Sequence, residues 1–91
     1  MKISVLLATY NWPEALRLCL ESLEKQTAKN FEVIIADDGS GSKTKELIEQ
    51  FRKNSNLSIQ HLWQEDFGFR KTLILNQAIE VASGEYLVFL D

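Results

Sequence analysis

A three-layer α/β/α arrangement on a parallel four-stranded sheet, order 3-2-1-4, is the fold that this sequence predicts. Short, nearly continuous apolar runs alternate with segments whose apolar residues recur at helical spacing. Continuous apolar runs mark strands covered on both faces, the habit of parallel sheets. The connections are short, so right-handed crossovers place helices on both sides of the sheet. Strands one to three step outward, and the fourth returns beside the first.

The first run, Ile3 to Ala8, is a buried strand. Pro13 follows near a helix start, where its missing N–H costs nothing, with Asn11 or Trp12 as the expected cap. Leu16, Cys19, Leu20 and Leu23 form one stripe of that helix, which fades near Gln26. Phe31 to Ala36 is the second strand, and it ends in the turn Asp37-Asp38-Gly39-Ser40-Gly41-Ser42. Ser42 is the expected cap of a helix from about Lys43 to Lys53, whose inner face is Leu47, Ile48 and Phe51. Leu57, Ile59, His61 and Trp63 alternate with Ser58 and Gln60, as in a strand near a sheet edge. Gln64 to Phe69 reads as loop. Leu75, Ala78, Ile79 and Ala82 give the stripe of a third helix, stopped at Gly84, and Tyr86 to Leu90 is the fourth strand. Asp91 directly follows this most apolar strand, so the chain is expected to be the front part of a larger protein, with residues 1–91 a single domain.

Composition narrows the function. The 91 residues are 45% hydrophobic and 25% charged with a net charge of −3, as in an ordinary globular domain. That balance offers neither a basic footprint for nucleic acid nor a polybasic membrane patch. No apolar run is long enough to span a bilayer. One cysteine, Cys19, cannot close an internal disulfide, which points to a reducing, cytoplasmic setting. Cys19 and His61 are expected to be structural, and Trp63 and Phe67 to be packing residues.

In an open parallel sheet, ligands bind beyond the carboxyl ends of the strands, where strand order reverses. Here the reversal lies between strands one and four, which gathers Thr9, Tyr10, Asn11 and Asp91 on one rim, with Asp37 and Asp38 next to them. Strand one is followed by no glycine, which excludes the dinucleotide fingerprint. Gly41-Ser42-Lys43-Thr44 fails the phosphate-loop pattern, because Ser42 interrupts it and Ala36 stands where the other glycine belongs. What remains is a flat ring at Tyr10 with short hydrogen-bonding groups at Thr9 and Asn11, suited to stacking on and edge-reading a nucleobase. The Asp38 carboxylate suits an imide N–H such as that of uracil. Arg70 and Lys71 suit a diphosphate, and Asp91 a divalent ion. Asp37 also reads as a turn residue bonding its own backbone.

The segments Val-Leu-Leu-Ala-Thr-Tyr-Asn-Trp-Pro (5–13), Cys-Leu-Glu-Ser-Leu-Glu-Lys-Gln-Thr (19–27), Phe-Glu-Val-Ile-Ile-Ala-Asp-Asp-Gly-Ser (31–40) and Ala-Ser-Gly-Glu-Tyr-Leu-Val-Phe-Leu-Asp (82–91) resemble, in order and spacing, the N-terminal part of a family 2 glycosyltransferase with the Rossmann-like GT-A fold. Gly68-Phe69-Arg70-Lys71 followed by Asn76 is similar to the variant in galactosyltransferase and chondroitin-polymerase relatives. The resemblance implies an inverting, metal-dependent parent enzyme that transfers a sugar from a nucleotide diphosphate sugar, often a UDP-sugar, to an acceptor hydroxyl. Bacterial surface polysaccharide or a lipid-linked glycan is the implied acceptor, at the cytoplasmic face of the membrane. Thr9, Tyr10, Asn11 and Asp38 would line the base and ribose pocket, and Phe69, Arg70 and Lys71 would flank the nucleotide. Asp91 would be the first aspartate of a D-x-D motif that serves Mn2+ or Mg2+ in the full-length protein.

No general base is assigned within these 91 residues, so the chain alone is expected to lack transfer activity. A fourth strand without a cover is expected to favour self-association. A receiver-like signalling domain, which also sets paired carboxylates after an apolar strand, is the alternative reading, beside a nucleotide-binding module without turnover.

Overall fold

The computed structural model describes residues 2–26, 30–55, 57–65 and 71–90. The elements run β1 (Ile3–Thr9), α1 (Pro13–Glu24), β2 (Phe31–Asp37), α2 (Ser42–Asn54), β3 (Ser58–Trp63), α3 (Lys71–Val81) and β4 (Tyr86–Leu90). All pairings are parallel and the order is β3-β2-β1-β4, as the sequence predicts.

Strand side chains alternate between faces, and this alternation divides the core in two. Val5, Leu7, Val33 and Ile35 point to one side, where they bury against Leu16 and Leu20 of α1 and Ile48 of α2. Leu6, Ile34 and Ala36 point to the other, where Ile74 and Ala78 of α3 cover them. Both faces of β1 and β2 are therefore apolar, which is why the sequence shows runs there instead of alternation.

One local expectation holds and two are corrected. Trp12 is the N-cap of α1, but its side chain makes no capping bond, and the Asn11 side chain turns instead to another loop. Gly41, not Ser42, caps α2, again without a side-chain bond. In α3 the buried residues are Ile74 and Ala78, whereas Ile79 is 41% exposed. This helix is apolar around most of its circumference, so period alone did not choose the face; the sheet did.

β4 is uncovered, as the sequence suggests. Tyr86, Leu87, Val88, Phe89 and Leu90 are each 37–58% exposed. Among the described residues the strand pairs only with β1, and the helices lie over β1, β2 and β3. Hydrophobicity selected the strand, but burial depends on what covers it.

The amino ends of the strands are tied by one carboxylate. Glu32 Oε2 accepts hydrogen bonds from Ser4 Oγ (2.6 Å), the Ser83 backbone N–H (2.7 Å) and Ser83 Oγ (3.1 Å), and Lys2 Nζ lies 3.9 Å from Oε1. Gly84 donates its N–H to Ser4 Oγ at 2.8 Å, and a Cβ at Gly84 would stand 2.6 Å from the Ser4 backbone nitrogen. Only glycine allows this approach of the α3–β4 connection to β1.

Partial burial of Glu32 opposes its charge, but the bonds from Ser4 and Ser83 and the nearby Lys2 outweigh that and hold its carboxyl below the ordinary 4.5. A depressed folded-state value contributes stability above pH 4.5, and this is lost as pH falls through the folded value. The thermal midpoint should thus fall between about pH 5 and pH 3, and Glu32→Gln should flatten that acid limb. Parallel acid limbs in the two proteins would exclude Glu32 as a contributor.

Candidate functional site

The carboxyl ends of β1 and β4 lie side by side, with Leu7 in register with Leu90, so strand order reverses where the sequence placed the reversal. A cavity of about 380 Å³ opens at the carboxyl end of β1, beside the end of β2 and α1, lined by Thr9, Tyr10, Trp12 and Asp38 above an apolar floor that includes Leu7, Leu16 and Cys19. Its size and its apolar lining with a few polar groups suit a small ligand. Tyr10 is 50% exposed, so its ring is available to a ligand. Asp38 is buried to 6% exposure yet faces the cavity.

Two loops build this rim and lock to each other. Asn11 sits at φ 46°, in the left-handed region that asparagine tolerates better than most residues. There its N–H donates to Ser40 Oγ at 2.8 Å, and its Oδ1 accepts from the Gly41 N–H at 2.7 Å. The Asp38 N–H donates to the Thr9 carbonyl at 3.1 Å. These reciprocal bonds fix Asp38 beside Thr9 and Tyr10, although 29 residues separate Thr9 from Asp38 in the sequence. Gly39, at φ 93°, makes the sharp reversal between Asp38 and Ser40.

Asp37 is 1% exposed and turns away from any ligand. Its Oδ1 accepts the Ser40 N–H at 2.9 Å, the side-chain turn expected of it. Its Oδ2 lies 2.8 Å from His61 Nε2. Buried and engaged in this way, Asp37 is not half of an open carboxylate pair, which the receiver-like alternative needs.

Sequence reasoning missed the end of β3. Trp63 Nε1 donates to the Ser40 carbonyl at 3.0 Å, and Gln64 Nε2 donates to Asp38 Oδ1 at 2.7 Å. Trp63 was expected to pack, but it is 52% exposed and acts through its indole N–H. The available signal was His61 on the inward register of a strand, beside the buried aspartate of its neighbour.

Of the residues expected at the site, the structure brings together Thr9, Tyr10, Asn11 and Asp38. Lys71 opens α3, and its side chain is outside the described set. Phe67, Phe69, Arg70 and Asp91 also lie outside the described residues. Among the described residues, no group of three His, Cys, Asp or Glu could hold a metal ion. No helix among them is long and apolar enough to cross a membrane.

The family description "Glycosyl transferase family 2" matches residues 4–91. The chain belongs to that family. Among curated relatives of this chain, chondroitin synthase of Escherichia coli is 32% identical over 90 residues, covering 98% of the chain and 13% of the relative. The crystal structure of Staphylococcus aureus TarS 1-349 in complex with UDP-GlcNAc superposes with a TM-score of 0.75 at 36% identity, over 100% of this chain and 26% of that one. A mannosyltransferase from Pyrobaculum calidifontis, in complex with GDP-Man and Mn2+, shares the fold with a TM-score of 0.72 at 21% identity, over 94% of this chain and 26% of that one. The chain spans 13–25% of the length of the first curated relatives it matches.

Proposed function

We propose that this chain is the donor-binding portion of an inverting glycosyltransferase that moves a sugar from a UDP-sugar to an acceptor hydroxyl in bacterial polysaccharide or glycan synthesis. The observation that carries the reading is the meeting of Tyr10 and Asp38 at one cavity, at the carboxyl end of β1 in a family 2 glycosyltransferase sheet. The Tyr10 ring offers a stacking face for a pyrimidine. Asp38 is an acceptor when ionised, so it pairs with the N3–H of uracil and not with cytosine N3, which carries no hydrogen. Thr9 and Asn11 border the ribose.

Phe69, Arg70 and Lys71 complete the nucleotide contacts in this reading, the two cations facing the diphosphate. Asp91 belongs to a metal-binding motif for Mn2+ or Mg2+ in the whole protein. The likeness to the UDP-GlcNAc-bound TarS structure supports a UDP-sugar over other donors.

Calorimetric titration of the chain with UDP, GDP and ADP, with and without manganese, tests the assignment. UDP should bind preferentially, and Tyr10→Ala and Asp38→Ala should each weaken it by about 1–2 kcal/mol, the scale of a lost stack or buried hydrogen bond. Unchanged UDP affinity in both variants would remove these residues from the pocket.

A further inference from the structure

We propose that His61 is a positioning residue for base recognition, holding the turn that presents Asp38 by way of the Asp37 carboxylate. This rests on the nucleotide reading above and extends it to the end of β3.

His61 occupies an inward register position: Leu57 and Ile59 precede it, and its β2 partner is the fully buried Ile35. A ring nitrogen there, on a side chain only 12% exposed, is costly unless it is bonded. It is bonded to the buried carboxylate of Asp37, Oδ2 at 2.8 Å. A neutral imidazole makes this bond by carrying its proton on Nε2, an assignment that follows from the partner being an acceptor.

The two oxygens of Asp37 thus join different parts of the molecule. Oδ2 is held by the sheet and Oδ1 holds the Ser40 amide of the turn. Gly39 lies inside that turn and gives it little conformational preference of its own. Its shape depends on the bonds across it, with Trp63 anchoring the Ser40 carbonyl from the same strand. Ser40 in turn receives the Asn11 N–H, so the chain His61, Asp37, Ser40, Asn11 reaches both walls of the cavity. A shift of Asp37 moves Asp38, its neighbour in sequence, and loosens Asn11 two bonds away.

His61→Leu removes the donor and keeps an apolar side chain at the position, while His61→Gln places an amide N–H near the site of Nε2. On the 91-residue chain, amide exchange at Ser40 should rise about tenfold in His61→Leu, and UDP affinity should fall by a similar factor. CDP, whose ring lacks the N3–H donor, should lose less affinity than UDP, so base discrimination narrows. His61→Gln should recover both readouts.

Unchanged Ser40 exchange and UDP affinity in a folded His61→Leu would overturn the proposal. So would a His61→Gln protein that melts like the parent yet loses as much as His61→Leu. If His61→Leu does not fold, exchange and affinity in His61→Gln decide alone: parental values support the donor role, and losses exclude it. Should the parent chain bind no UDP while Ser40 exchange still responds to His61 as described, the turn-holding role stands and the nucleotide reading fails.

Discussion

Ile34→Ala should destabilise the chain by about 2–5 kcal/mol, the range for truncating a large core aliphatic. Ile34 is fully buried in the middle of β2, flanked in register by Leu6 and Gln60, and it faces Ile74 and Ala78 of α3. Removing three carbons there leaves a cavity that the sheet cannot collapse, because hydrogen bonds hold β2 between β1 and β3. Among the described residues of α3, Ile74 and Ala78 are the fully buried contacts on that face, so its docking is weakened directly. A chain of this length has a total stability of roughly 5–14 kcal/mol, and the loss is a large share of it. Urea unfolding of parent and variant measures the difference. Ile79→Ala, on the same helix but 41% exposed, should cost far less. Equal costs would mean that α3 packs through a different face.

Asp37→Ala should be nearly as severe, and it should also damage the site. The substitution leaves the Ser40 amide and His61 Nε2 without their acceptor, each orphaned group costing about 1–3 kcal/mol where water cannot replace it. The turn at residues 37–41 then loses the bond that closes it, and UDP binding should weaken together with stability. Asp37→Asn separates the contributions. Its side-chain oxygen still accepts from Ser40, and its amide can meet His61 if the imidazole moves its proton to the other nitrogen. The expected order of stability is parent, Asp37→Asn, Asp37→Ala, read from urea midpoints. If Asp37→Ala matches the parent in midpoint and UDP affinity, the buried pair contributes nothing to either.

These two residues differ in how well the sequence revealed them. Ile34 stands in Val33-Ile34-Ile35-Ala36, a run so apolar that burial on both faces was the direct reading. Asp37 was legible only as a turn former, and its bond to the Ser40 amide agrees with that. Its second bond, to His61, joins residues 24 apart and depends on β3 lying beside β2 in one particular register. No local pattern encodes that distance. Gln64 to Asp38 is a similar case, a side-chain pairing across adjacent strand ends that spacing cannot predict.

Residue pattern alone specifies the strands and helices, the parallel sheet order and the rim on which Thr9, Tyr10, Asn11 and Asp38 meet. It could do so because hydrophobic period and short connections leave few ways to bury these apolar faces. Packing was needed to choose the buried side of α3 and to bring His61, Trp63 and Gln64 to the turn beside the cavity. Those outcomes depend on which surfaces actually meet, and on hydrogen bonds whose length and direction exist only once the strands are in register.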